Sequence, residues 1–262
     1  MISKTWDNRT RFVVYGQAFL FLVVWAGALG RLIQGKFWNA KHNVEMMEKA
    51  LSDEETPKDM VNFIEGIGMS YYTNRYHWFF PHVAGSIIWW NLYFLQLIPS
   101  IRNKYKKFHR VLGRVLMVCA FAQAVSGVGL AYMGNSPTIK IISSFIGISA
   151  IYCLYYAWYY AAIEKDIAKH KYWAMRLVGY LQSIALQRVF MLLLIVCHKF
   201  GLLGLYPASG EEDDDAAALQ QIFDDSFVCC YPTAVLLTEW YLAGYYGWTE
   251  SKNDKQGKAK AL

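Results

Sequence analysis

Long apolar runs separated by short polar breaks make up most of the chain. A helix needs about 20 mostly apolar residues to cross a bilayer, since each residue rises ~1.5 Å and the hydrocarbon layer is ~30 Å thick. Six stretches fit this requirement and predict an all-α, polytopic transmembrane helix bundle. The predicted spans are residues 12–30, 78–101, 111–133, 141–163, 177–206 and 227–247.

Two longer polar segments, residues 31–77 and 206–226, separate some of these spans. The first contains two amphipathic stretches, 43–52 and 56–67, each of which predicts a short helix lying on the outer-side loop. The second carries an acidic run, which favours the positive amino end of another short helix. No internal repeat is visible, so we predict one membrane domain, 1–262, with two outer-side loops.

The charge distribution supports six spans and orients them. Lys and Arg in short loops are retained on the cytoplasmic side or its equivalent. With both termini on that side, its segments hold 17 Lys/Arg against 5 Asp/Glu, and the opposite segments hold 8 against 14. We call the basic side the inner side. A cytoplasm, mitochondrial matrix or chloroplast stroma fits it, and we favour the mitochondrial inner membrane.

One face of the second predicted span is polar and aromatic, and a face of the third is built from small residues. The spacing of +4, +3, +4, +3 places on one helical face His82, Ser86, Trp89, Tyr93 and Gln96. The small-residue stripe on the third predicted span consists of Gly113, Ala120, Ala124, Gly127 and Ala131. Such a stripe permits close helix packing or leaves room for a flat cofactor. Packing is the preferred interpretation.

Four polar residues form a predicted intramembrane centre, namely Gln123, Gln187, Arg188 and Glu239. An arginine at this depth costs a few kcal/mol, on the order of 3, unless it is paired or hydrated. We therefore expect an Arg188–Glu239 ion pair. In the alternative interpretation, Arg188 anchors a propionate, a quinone or an anionic substrate.

Four histidines could bind haem b as two pairs. His109 and His170 lie at the inner boundary, and His82 and His198 lie just inside the outer one. Bis-histidine ligation needs two imidazoles at matched depth on facing helices. Each membrane face offers one such pair. The five cysteines form no C-x-x-C motif, and we expect no metal site beyond haem iron.

Basic side chains flank the inner ends of the spans and are candidates for contact with anionic lipid headgroups, which we expect as partners in place of nucleic acid. These candidates are Lys104, Lys106, Lys107, Arg110, Arg114, Lys169, Lys171 and Arg176.

Several spaced motifs between residues 82 and 190 resemble the family known as domain of unknown function 2306. They are His82 with Gly85, Gln96-Leu97 before Arg102, "HRVLGR" at 109–114, "SGVGLA" at 126–131, "KHKYWAMR" at 169–176, and Arg188. The resemblance implies an intramembrane helical core of four helices and no established activity. His-x-x-x-Gly at a helix start, with a Gln in its middle and a Gly beyond, is also loosely similar to cytochrome b561-type haem proteins.

Three functions follow from these features. The first is a non-catalytic accessory subunit of a large membrane complex of the respiratory or photosynthetic type, associated with other membrane subunits. The second is a haem b protein that transfers electrons across the membrane. The third is a small transporter or lipid-handling enzyme that uses the intramembrane polar centre. The sequence contains no Ser-His-Asp set, phosphate loop or metal-binding motif, and a role other than catalysis is preferred.

Overall fold

The computed structural model describes residues 12, 14–22, 39–53, 56, 61, 65, 68–133, 135–202 and 212–260, with side chains in the last range described for 218–244. The regular secondary structure of this part of the chain is all helical, and residues 14–22 form one helical segment. Nine further α-helices have defined bounds there: α1 Ala40–Leu51, α2 Met69–Tyr72, α3 Tyr76–Leu92, α4 Pro99–Lys104, α5 Lys106–Tyr132, α6 Pro137–Ala162, α7 Ile167–Leu181, α8 Ser183–Lys199 and α9 Glu212–Lys260.

Three helical segments in the described part are long and apolar enough to cross a membrane. They are Lys106–Tyr132, Pro137–Ala162 and Ile167–Lys199. They correspond to the third, fourth and fifth predicted spans, so the prediction of a helical bundle is confirmed with three candidate spans among the described residues. The first predicted span, 12–30, lies partly outside the described residues.

The second predicted span is shorter than its apolar run. Helix α3 ends at Leu92 after 17 residues, and the chain tightens into a 3-10 turn, Tyr93–Gln96. Pro99 then begins α4, and Ile98 before it has an extended backbone. Proline restricts the preceding residue to extended conformations, so one helix could not continue to residue 101. That boundary of the prediction was wrong.

The fifth predicted span begins ten residues earlier than expected. The carboxylate of Asp166 accepts a hydrogen bond from the backbone N–H of Lys169 at 3.0 Å and caps the start of α7. The helical path breaks at Gln182 and resumes as α8, which ends at Lys199. Gly201 follows with a φ of +59°, the left-handed conformation that commonly terminates a helix.

The sixth predicted span belongs to a much longer helix. Helix α9 runs without interruption for 49 residues and contains Pro232. It begins inside the acidic run, as the helix dipole favours, but the expected separate short helix and the span are one element. In the first outer-side loop, α1 confirms the predicted helix at 43–52, whereas most of 56–67 lies outside the described residues.

The helices pack as sequential neighbours around one apolar core. Helix α3 lies against α5, α5 against α6, α6 against α7, and α8 against α9, which also contacts α6 and α7. The core includes Trp89, Leu116, Ala120, Cys153 and Ala185. Large apolar side chains cover the outside, as expected of helices surrounded by lipid.

Candidate functional site

A hydrogen-bond network of neutral side chains joins α3 to α5. Gln123 donates from Nε2 to the carbonyl oxygens of Gly85 at 3.2 Å and Cys119 at 3.3 Å. Ser86 donates from Oγ to Gln123 Oε1 at 3.1 Å. Nδ1 of His82 lies 3.3 Å from the carbonyl oxygen of Gln123. The polar face of α3 therefore turns toward the middle of α5.

This face continues through the turn after α3. The hydroxyl of Tyr93 donates to Gln17 Oε1 at 2.8 Å, which ties the first helical segment to the bundle. Gln96 donates from Nε2 to the carbonyl oxygen of His109 at 3.2 Å. The 3-10 turn thus keeps both side chains on the inward face although the α-helix has ended.

The small residues of α5 bring the two helices together and leave no gap between them. The ring of His82 lies 3.3 Å from the point that a Cβ at Gly127 would occupy, and the amide of Gln96 lies 3.4 Å from the same point at Gly113. On α3, a Cβ at Gly85 would be 3.0 Å from the Cys119 carbonyl oxygen. Side chains of the protein fill the space of the stripe, which favours the packing interpretation over a cofactor at these positions.

The other predicted polar residues divide between two places. Gln187 is fully buried and donates from Nε2 to Ser226 Oγ at 2.7 Å, which joins α8 to α9. Arg188 donates to the side chain of Gln187 and interacts electrostatically with His82. Through His82, these residues are linked to Gln123, whereas Glu239 is bound elsewhere.

Glu239 is paired with Arg176, so the expected Arg188–Glu239 pair was wrong. Arg176 donates from Nε to Glu239 Oε1 at 2.7 Å and from Nη2 to Oε2 at 2.5 Å, and the Tyr180 hydroxyl donates to Oε1 at 2.9 Å. Arg176 lies about two and a half turns inside α7 because that helix starts at Ile167. Its side chain pairs with Glu239 of α9, and its contact with lipid headgroups stays a prediction.

His109 and His170 lie together at the inner end of the bundle. The two side chains are within electrostatic range of each other. Nδ1 of His170 is 2.7 Å from the carbonyl oxygen of Ala157, so this nitrogen is the donor, and in the neutral ring Nε2 has the free lone pair. Nδ1 of His109 is buried and has no hydrogen-bond partner in the described part of the chain.

The two histidines predicted near the outer boundary, His82 and His198, have different surroundings. His82 lies against α5, with Nδ1 also 3.4 Å from the hydroxyl of Ser126. His198 is buried near the end of α8. The described residues contain no cluster of three or more His, Cys, Asp or Glu side chains that could hold a metal ion.

Comparison with known proteins places this core in a family. Residues 79–205 match a family described as predicted membrane protein (DUF2306). This segment belongs to the DUF2306 family. No curated protein and no solved structure is significantly similar to the chain. The resemblance seen over residues 82–190 is thereby confirmed over a longer segment, and the protein is an integral membrane protein.

Most side chains of the spaced family motifs lie at contacts between helices of the DUF2306 segment. His82, Gly85 and Gln96 face α5. His109 lies in the first turn of α5 and His170 in the first turn of α7, and the two side chains are within electrostatic range of each other. The segment also starts at the amino end of α3 and finishes just beyond α8. The partner of its Arg176, Glu239, lies outside the matched residues on α9.

Basic side chains form an exposed collar at the inner end of the DUF2306 segment. The collar consists of Lys104, Lys106, Lys107, Arg110 and Arg114, all of which are exposed. Lys169 is also exposed, lies 3.5 Å from Asp166 and sits over the ring of Tyr160 at 5.1 Å. Lys171 is half-buried. The collar stays a prediction for lipid-headgroup contact.

Sequence reasoning missed a buried arginine at the opposite end of the bundle. Arg75 directly precedes α3, and its side chain is 5% exposed. Its guanidinium lies 5.7 Å from the ring centroid of Tyr71. Burial raises the pKa of Tyr71, although Arg75 and Arg188 oppose this shift. No periodic pattern marked Arg75, because it stands outside the predicted spans.

Proposed function

We propose that this protein is a non-catalytic accessory subunit of a larger membrane assembly of the respiratory or photosynthetic type. The observation that carries this proposal is an aromatic face on α6. Tyr152, Tyr155 and Trp158 are 53%, 51% and 46% exposed. Tyr and Trp are enriched where membrane proteins meet the lipid headgroups and where proteins meet each other.

The depth of this face favours a protein partner. Tyr152 precedes the end of α6 at Ala162 by ten residues, or about 15 Å of helix, which reaches the middle of a bilayer. Within the chain the Tyr152 hydroxyl has Tyr156 as a hydrogen-bond partner. A protein partner could add hydrogen bonds that lipid tails cannot supply. The same exposed stripe contains Ile141, Phe145 and Ile148 nearer the other end of α6.

The use of polar side chains inside the bundle supports a structural role over transport. Gln123 joins α3 to α5, and Gln187 joins α8 to α9. Ser149 and Tyr231 join α6 to α9 through a contact of 2.6 Å between their hydroxyl oxygens. These side chains hold helices together, which suits a rigid subunit better than a transporter that must change shape.

Native gel electrophoresis of membranes solubilised in mild detergent tests this proposal. We expect the chain to migrate with a large complex, and replacement of Tyr152, Tyr155 and Trp158 by leucine should release it. The matched control replaces Ile141, Phe145 and Ile148 by leucine on the same stripe and should leave the complex intact. Migration of the wild-type chain as a monomer or dimer would contradict the proposal.

A second candidate, haem b binding for electron transfer, is favoured by the His109–His170 arrangement. An axial histidine binds iron through one ring nitrogen while the other donates to a carbonyl group. His170 has that orientation through Ala157. His109, on a separate helix within electrostatic range, has a buried Nδ1 with no hydrogen bond among the described residues. Haem bound here would supply one-electron chemistry, and the two histidines would fix it at the inner end.

Visible spectroscopy distinguishes the two candidates. Protein purified with its native lipids should show a Soret band that sharpens and shifts with dithionite if haem is bound. His109→Ala and His170→Ala should each remove the band, while His42→Ala, at an exposed site on α1, should retain it. Absence of the band in the wild-type protein would eliminate the haem candidate and leave the subunit proposal standing.

We also propose the six-span topology with both termini on the inner side, in the mitochondrial inner membrane. The excess of basic residues in the inner segments supports it. Epitopes fused to either end should both be digested only after protease reaches the inner side of sealed membranes. Digestion of one epitope from each side would require an odd number of spans.

A further inference from the structure

Arg75 is a buried charge that the described interactions leave incomplete. Its side chain is 5% exposed, and Nη1 is buried without a hydrogen-bond partner. The ion pairs of the described residues do not include Arg75. A buried arginine without an acceptor is costly, because its hydration is lost and not replaced. An anion in contact with this guanidinium would remove that cost.

The position of Arg75 adds to the local positive potential. It is the N-cap residue of α3, and its side chain makes no capping hydrogen bond. The first turn of α3 contains no acidic residue. The amino end of a helix carries about half a positive charge, which favours a bound anion. The backbone N–H groups of Tyr76 and Trp78 already donate to Thr73 and Arg75, so the Arg75 side chain is the main donor here.

Two further side chains complete the surroundings. Tyr71 is held by stacking on Phe79, with ring centroids 5.1 Å apart, and lies beneath the Arg75 guanidinium. Arg188 donates to the side chain of Gln187 and adds positive potential at both Tyr71 and His82. The Arg75 guanidinium and the Tyr71 hydroxyl can both donate to an anion.

We propose that Arg75, with Tyr71 and Arg188, forms a binding site for a phosphate group at the amino end of α3. A guanidinium presents paired N–H groups that match the oxygens of phosphate. The site lies at the opposite end of α3 from the basic collar at the start of α5. Arg188 is exposed on the side of α8, so a phosphate could arrive on a phospholipid headgroup or as a small soluble phosphate.

Binding experiments on the purified full-length chain test the site and identify the source of phosphate. In the first arm, inorganic phosphate is titrated against protein in detergent at constant ionic strength, and thermal unfolding is followed by tryptophan fluorescence. In the second, the protein is reconstituted in nanodiscs of phosphatidylcholine with or without phosphatidylglycerol, and retained lipid is counted by native mass spectrometry. Stabilisation by phosphate indicates a soluble ligand, and retention of phosphatidylglycerol alone indicates a headgroup.

Arg75→Gln should weaken whichever response occurs by about tenfold, since it removes a charge-assisted hydrogen-bond donor. Lys41→Gln, which removes an exposed charge of α1 that belongs to neither the collar nor this site, should leave the response unchanged. If Arg75→Gln does not fold, Arg188→Gln provides the same comparison. The proposal is overturned if the wild-type protein responds in neither arm. It is also overturned if the wild-type protein and a variant that folds give equal responses.

Discussion

The pairs α3–α5 and α7–α9 are both held by polar side chains within the membrane, but in different ways. In the first, one amide, Gln123, bonds a hydroxyl and two backbone carbonyl groups. In the second, Arg176 and Glu239 form a two-point ion pair that Tyr180 completes. The neutral network uses groups that the helices already possess, whereas the ion pair depends on two charges staying together.

This difference determines how each pair should fail. A neutral amide that loses one partner can still bond a carbonyl of its own helix. A charge that loses its partner within the membrane is left uncompensated, and the penalty far exceeds the net value of the pair. The ion pair is therefore the point at which the bundle is most sensitive to single substitutions, even though it adds little stability over an apolar contact.

The largest effect is expected for Glu239→Ala. It leaves the half-buried Arg176 guanidinium without its carboxylate and should lower the free energy of unfolding by about 3 kcal/mol. Thermal unfolding in detergent, followed by tryptophan fluorescence, measures the loss. The double variant Arg176→Met/Glu239→Leu should recover most of it, since the two charges are removed together. A double variant as unstable as Glu239→Ala would show that packing, not the unpaired charge, causes the loss.

A smaller effect is expected at Gly85, where α3 lies against the backbone of α5. Gly85→Ala places a Cβ 3.0 Å from the Cys119 carbonyl oxygen, a backbone atom that can move only with its helix. We expect a loss of about 1–2 kcal/mol, typical of overpacking. Gly16→Ala is the matched control, because no atom lies within 4 Å of its Cβ position. Equal effects at both sites would contradict the close approach.

Gln123→Leu should have a milder effect, which tests the neutral network directly. It removes the bonds to Ser86 and Gly85, and hydrogen bonds between membrane helices contribute only about 1 kcal/mol. Thr233→Val is the control, since the Thr233 hydroxyl bonds the carbonyl of Cys229 within its own helix. Thermal unfolding of both variants measures the difference. A loss as large as that of Glu239→Ala would remove the contrast between the two helix pairs.

Much of this architecture could be predicted from residue patterns alone. The spacing on α3 predicted which side chains meet α5, and matched depth predicted that His109 and His170 approach each other. Both predictions depend on local periodicity, and the periodicity of α3 holds even through the 3-10 turn that begins at Tyr93. The family resemblance depended on similarly spaced motifs and was confirmed.

The partner of Glu239 could not be predicted, because it depends on where a helix begins and how it is turned. The apolar run suggested a start at Leu177, which left Arg176 at the membrane surface. The Asp166 cap lengthens α7 and carries Arg176 into the bundle. The burial of Arg75 could not be predicted for a related reason. It arises from tertiary packing, and nothing in the neighbouring sequence distinguishes Arg75 from an exposed loop arginine.

The smallest effect is expected for the cap that sets this helix start. The backbone N–H of Lys169 holds the pKa of Asp166 below its usual value. The contribution of the ionised carboxylate is therefore present above the unfolded-state pKa and is lost as pH falls through the lower folded-state value. The wild-type thermal midpoint should show a small decline over that acidic range. Asp166→Asn keeps a capping group that does not titrate, so its decline should be smaller, and an identical decline would place the titrating group elsewhere.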